Sequence, residues 1–337
     1  MKQLLTVALA LVAALATAPA SAEEPAALPW LTDITRAKEQ AQKEKKDLFV
    51  LITGSDWCIW CKRLEGEVFS KPEFIEKVAN DYVYLFLDFP NSEEAKAKVV
   101  DMKASEKLRD SYGAAGYPTV ILATPEGLPY ARTGYQPNGP QAYLTHLTEL
   151  KANKETIGKM LAAEKAEKPD VALFVKGVGQ LAKDDFLGYE GYGPILKKAR
   201  TLDPEGKHGI LPKILGAEEK KGLMDLVEKI FPEPGPNSSP PTAEHWSQIY
   251  EYMTKSKNLA GMEFCNLAFG CSMSLIEQKK FAEAKGLLER IAKDEMLKEE
   301  PQAQKAIAAK VQECEDGMKG GETAKPETPK PAEPVGG

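Results

Sequence analysis

The sequence predicts two structural halves: an α/β sandwich around a mixed sheet over residues 23–150, and an all-α half over residues 171–316. Three observations carry this. Short apolar, partly β-branched runs alternate with helix-patterned stretches as far as residue 152. The alternation closes on a hairpin pattern, and beyond residue 171 no segment has the period of a strand.

The elements follow in order. Residues 23–31 form an Ala/Pro-rich lead-in, and Asp33 to Lys45 reads as a polar amphipathic helix. Leu48 to Thr53 is a continuous apolar run, as expected of a strand buried on both faces, and Gly54-Ser55-Asp56 breaks it. A helix is expected from Cys58 to about Phe69, and another over Glu73 to Asn80. Tyr82 to Phe89 is a second buried strand, and Glu93 to Tyr112 is mostly helical. Gly116-Tyr117-Pro118-Thr119 leads into a strand over Val120 to Ala123, then a Pro125-Glu126-Gly127 turn and a return strand over Leu128 to Thr133. Pro140 to Ala152 closes the unit as a helix, and residues 151–170 form a charged helical connector.

Residues 1–22 have the layout of a secretory signal peptide: Lys2, an apolar run from Leu4 to Leu15, and small residues ending at Ala22. A periplasmic or secreted location follows as an expectation, with no membrane span once cleavage after Ala22 has occurred. The remaining 43 basic and 50 acidic residues give a net charge of −7, and no basic block offers a footprint for nucleic acid. At 43% hydrophobic the chain can fill real cores. Its five cysteines, Cys58, Cys61, Cys265, Cys271 and Cys314, are therefore available for chemistry; the odd count leaves at least one without an internal partner.

The pair Cys58-Ile59-Trp60-Cys61 admits three readings. A zinc site needs two more ligands, and His146, His208 and His245 are isolated, with the other cysteines some 200 residues away, so no metal is expected. A structural disulfide across so short a loop adds little stability. A redox couple explains more. A helix beginning at Cys58 places that sulfur among unpaired N–H groups at the positive end of the helix dipole, which stabilises a thiolate. Cys58 is then expected to be the exposed nucleophile, and Cys61, one turn on and facing inward, the resolving thiol. No organic cofactor is required.

Trp57-Cys58-x-x-Cys61-Lys62 after an apolar strand, with Gly116-Tyr117-Pro118-Thr119 downstream, resembles the thioredoxin superfamily, and in particular exported bacterial proteins related to thiol:disulfide interchange proteins. The resemblance covers roughly residues 30–150. It implies that Pro118 is a cis proline beside the dithiol, that the Tyr117 backbone pairs with a bound peptide strand, and that Trp57 shields one side of the site. Trp60, between the cysteines, is expected to be exposed, either contacting a partner or packing over the disulfide. The family's buried acid falls at Ile52 and its coupled lysine at Tyr84, so activation of Cys61 would pass to water or to a carboxylate such as Asp56 or Glu65.

In the second half, Pro232 to Pro241 is a Pro-rich break that no helix accommodates, and residues 317–337 read as a disordered tail. Leu275 to Ala292 reads as two helices joined at Lys279-Lys280-Phe281, similar to a single tetratricopeptide-type hairpin. Cys265 and Cys271 lie on opposite flanks of one helix and cannot bridge each other; a bridge to Cys314 and buried free thiols are the alternatives. Tyr189, Tyr192, Trp246, Tyr250 and Tyr252 either line a partner groove or fill a core. The expected function is extracytoplasmic disulfide exchange with protein thiols and disulfides or with a membrane electron donor, with a protein partner on the helical half. The alternative is a non-enzymatic assembly protein that uses the first half as a scaffold.

Overall fold

The computed structural model describes residues 27–231, 241–298 and 300–322. The signal-type segment, most of the Pro-rich break and the tail beyond 322 lie outside these.

Five strands form one mixed sheet in the order β1-β3-β2-β4-β5. They are β1 (Trp30–Leu31), β2 (Asp47–Thr53), β3 (Tyr82–Asp88), β4 (Thr119–Ala123) and β5 (Pro129–Thr133). Strands β1 and β2 run parallel to β3, while β4 is antiparallel to both β2 and β5. The apolar run of β2 is central and buried from Leu48 to Thr53. The sequence reading placed β1 in the lead-in. Its two residues are too few to show a period, and Trp30 is held by ring packing on Phe49, Phe69, Tyr84 and Phe86.

Local signals set the helix ends. Asp33 caps α1 (Ile34–Glu44) by accepting from Arg36 N–H at 2.9 Å. The dithiol helix α2 (Ile59–Leu64) passes directly into a π-helical turn, Glu65–Phe69, and Pro72 starts α3 (Pro72–Val78). The stretch predicted as mostly helical over 93–112 divides into α4 (Glu93–Lys96) and α5 (Met102–Ser111), the latter capped by Asp101. Helix α6 runs from Gly139 to Ala163, so much of the expected connector is its second half. The reason is packing: Ile157 and Met160 are buried, and Met160 lies against Gly177, where a Cβ would come within 2.4 Å of its sulfur.

The helical half comprises α7 (Val171–Lys183), a 3₁₀ turn (Glu190–Tyr192), α8 (Gly193–Leu202), α9 (Ile210–Ile230), α10 (Ala243–Lys255), α11 (Met262–Glu277), α12 (Phe281–Ile291), α13 (Glu295–Lys298) and α14 (Pro301–Glu322). Helices α11 and α12 form the expected hairpin, turning at Lys279 with φ 59°. Helix α14 continues past 316, where the tail was expected to begin. Gly317 lies against the Phe281 ring, where a Cβ would fall 2.6 Å from it, so this glycine is a packing residue.

The apolar cores divide inside α9. One runs from Leu28 to Ile214 and includes Phe174, Val178 and Leu181 of α7 and Ile195, Leu196 and Ala199 of α8. The other runs from Leu223 to Cys314. Tyr192 donates to the Pro129 carbonyl at 2.7 Å and Tyr189 to the Gly127 carbonyl at 2.9 Å, which fastens the 3₁₀ turn to the β4–β5 hairpin. Trp246, Tyr250 and Tyr252 pack against the second core. Cys265, Cys271 and Cys314 are buried and free, so the alternative bridge to Cys314 is absent.

Candidate active site

The site stands where β2 ends. Gly54 needs its missing side chain: a Cβ there would lie 2.5 Å from the Trp57 indole. The break is tied across to the segment after β3. Ser55 donates through its N–H and Oγ to Asp88 at 2.9 and 2.6 Å, and Trp57 Nε1–H donates to the Phe89 carbonyl at 2.8 Å. The Asp56 carboxylate accepts from Asn91 N–H at 2.9 Å and Ser92 N–H at 2.7 Å, and these two donors hold it down to about 2. Asp56 is thus fully ionised and occupied, whereas burial pushes the Glu65 carboxyl up from the ordinary carboxylate range although the residue is partly exposed. Neither sequence-named carboxylate is placed by a hydrogen bond to the sulfurs.

Cys58 is the N-cap of α2, and the Cys61 N–H donates to its Sγ at 3.1 Å. Cys58 and Cys61 form a disulfide with their Cα atoms 5.3 Å apart. The expectation of an exposed Cys58 is corrected: the residue is 4% accessible and Cys61 6%. Trp57, next to Cys58 in the chain, packs edge to face on the Tyr117 ring at 5.4 Å. Exposure belongs to the neighbours: Trp57 is 45%, Ile59 68% and Trp60 48% accessible.

The Tyr117–Pro118 peptide is cis. Antiparallel pairing of Ile52 with Thr119 brings Pro118 to the same end of the sheet as the dithiol. Gly134, after β5, approaches so closely that a Cβ would lie 2.8 Å from the Pro118 carbonyl oxygen. Ile52 and Tyr84, where the resemblance puts an acid and a lysine, are both buried, and the Tyr84 hydroxyl donates to the Val78 carbonyl instead.

Two aromatic–cation groups flank the dithiol, and as site residues sequence reading named only Tyr117 of the first and Trp60 of the second. In the first, the Arg109 guanidinium lies 4.9 Å over Phe89 and donates to the Tyr117 hydroxyl at 3.3 Å, while Phe89 packs on Tyr117. In the second, Trp60 packs on Tyr135 at 5.2 Å, with Arg63 above both rings. The available signal was the i, i+4 spacing of Arg63 and Glu67; nothing local pointed to Arg109 or Tyr135. Among the described residues no cluster of His, Cys, Asp or Glu could hold a metal ion.

A mixed sheet whose central strand ends in a disulfide at a helix N-terminus, with a cis proline at the same end of the sheet, is the arrangement of a thioredoxin-like domain. Residues 29–125 match the family model described as thioredoxin-like. The chain is similar to the disulfide bond reductase DsbH of Chlamydia pneumoniae, 27% identical over 118 residues, which is 35% of this chain and 69% of that protein. It is also similar to the thioredoxin-related protein DsbJ of the same organism, 26% identical over 109 residues, 31% of this chain and 30% of that one. A solved DsbH oxidoreductase structure is 27% identical, with a TM-score of 0.33, over 38% of this chain and 86% of its own.

Proposed function

We propose that this chain is an extracytoplasmic thiol:disulfide oxidoreductase acting on protein substrates through Cys58 and Cys61, with no metal or organic cofactor. The observation that carries the reading is the disulfide at the α2 N-terminus, with the Cys61 N–H directed at the Cys58 sulfur. On reduction the same N–H and the free end of the helix favour the thiolate form of Cys58. That thiolate attacks one sulfur of a partner disulfide, forming a mixed disulfide and releasing one partner thiolate. Cys61 then attacks the Cys58 sulfur, restores the internal bridge and releases the second thiolate. Two electrons pass to the partner, whose two thiolates take up two protons, and an electron donor, for which a membrane protein is our candidate, regenerates the dithiol.

The extracytoplasmic location is supported by the signal-type sequence at residues 1–22 and by the Dsb-named relatives. Among the described residues no helix is long and apolar enough to cross a membrane. The helical half is proposed to dock a protein partner.

The test is insulin reduction and refolding of a scrambled disulfide protein, with wild type and Cys58→Ser. Turnover that depends on Cys58, with a Cys58 thiol titrating well below the ordinary 8.5 or so, supports the reading. Its absence in both directions overturns it. The burial of Cys58 and the apolar Ile52 favour a second reading, in which the domain is a scaffold and the helical half carries the function.

A further inference from the structure

Trp60 belongs to a closed ring of four side chains. Its indole packs on Tyr135 at 5.2 Å, and the Arg63 guanidinium stands 4.9 Å over Trp60 and 5.0 Å over Tyr135. Glu67 closes the ring, taking Arg63 Nε–H on one oxygen at 2.9 Å and the Tyr135 hydroxyl on the other at 2.6 Å. These two donors hold the Glu67 carboxyl below the ordinary carboxylate range, so it stays ionised and in place. The Gly134 approach to Pro118 delivers Tyr135 to this position.

An exposed tryptophan of ordinary mobility loses side-chain freedom when it binds; one already fixed does not, and binds more favourably for that reason. Trp60 is fixed from below and still 48% accessible. Trp57 and Ile59, in the same short segment, are exposed apolar side chains as well. The guanidinium cations beside it are already matched, Arg63 by Glu67 and Arg109 by Asp110, and the Lys62 ammonium is turned away onto the Asp56 carbonyl. Such a surface complements an apolar chain segment better than a small charged disulfide.

We propose that Trp60, held by the positioning residues Glu67 and Tyr135, is a specificity-determining wall that selects polypeptide disulfides whose cysteine is flanked by large apolar side chains. This rests on the oxidoreductase reading above and names its substrate class.

The test uses the full chain, reduced with dithiothreitol and freed of it, against three disulfides: a peptide whose cysteines are flanked by Phe and Leu, a matched peptide flanked by Ser and Glu, and hydroxyethyl disulfide. Each reaction converts the Cys58–Cys61 dithiol to its disulfide and the substrate disulfide to two thiols. In wild type the apolar peptide is expected to exceed the polar one in its single-turnover second-order rate constant by about tenfold, which is about 1.4 kcal/mol. Trp60→Ala brings the ratio close to one, mainly by raising the concentration of apolar peptide that half-saturates the single-turnover rate. Trp60→Phe restores part of it, and Glu67→Gln lowers it without a change of fold by circular dichroism. Equal wild-type rates for the two peptides, or a ratio unmoved by Trp60→Ala, overturns the wall while leaving the oxidoreductase standing if hydroxyethyl disulfide is reduced. Failure with all three disulfides removes both.

Discussion

Asp56 is the residue through which the active-site break is secured. Its carboxyl is lowered from the ordinary 3.8 to about 2 by the Asn91 and Ser92 N–H groups, so the native state prefers its ionised form. The resulting stability is fully present above about pH 4 and is lost as pH falls towards 2. Asp56→Ala should therefore lower Tm at neutral pH, with the difference from wild type closing below about pH 2; a Tm series against pH checks this. Gly134→Ala should destabilise by about 1–3 kcal/mol, because its methyl meets the Pro118 backbone carbonyl, which has no rotamer with which to yield. Denaturant titration measures that loss. At this scale the sequence named Cys58, Cys61, Trp57, Trp60, Tyr117 and Pro118 as candidates, since contiguous motifs carry them. Tyr135 and Arg109 escaped because they join the site only through tertiary approach. The accessibility of Cys58 was misjudged for the same reason: a helix N-terminus says nothing about which side chains stand over it.

At the scale of the element, the seam between the 3₁₀ turn and the β4–β5 hairpin can be tested on its own. The Tyr192 side chain is buried and its hydroxyl is the donor to the Pro129 carbonyl. Tyr192→Phe leaves that acceptor without its partner and should cost about 1–3 kcal/mol, with retention of fold, by chemical denaturation. Strands β2, β3, β4 and β5 and most helices were readable because their apolar periods and caps are local. Strand β1 was not, being two residues long, and neither was the π turn after α2, which has no composition of its own. The length of α6 was underestimated because charged residues after 150 resembled a linker, while the burial of Ile157 and Met160 depends on α7 lying across them.

The whole molecule is built on two apolar cores whose division falls within α9 and leaves α7 and α8 in the core of the sheet. A chain cut after residue 164 would expose the surface that Phe174, Val178, Leu181 and Tyr192 cover. It should bind a hydrophobic dye and unfold without a sharp transition, in contrast to the full chain. The second core encloses Cys265 and Cys271, whose thiols burial pushes up to about 12, together with Cys314. In the reduced native protein a thiol reagent at pH 8 should modify at most Cys58 and Cys61, and all five cysteines after unfolding. That apolar helices follow residue 171 was legible from the sequence; which core they enter was not, because an amphipathic face specifies burial without naming its partner. The antiparallel course of β4 has a further outcome. Its five residues separate the hairpin turn from the cis-proline end by roughly 17 Å, so Tyr189 fastens the 3₁₀ turn at the pole of the sheet remote from the sulfurs. The hydrogen bonds that hold the 3₁₀ turn and the sulfurs that change bonds in exchange therefore lie at opposite ends of β4.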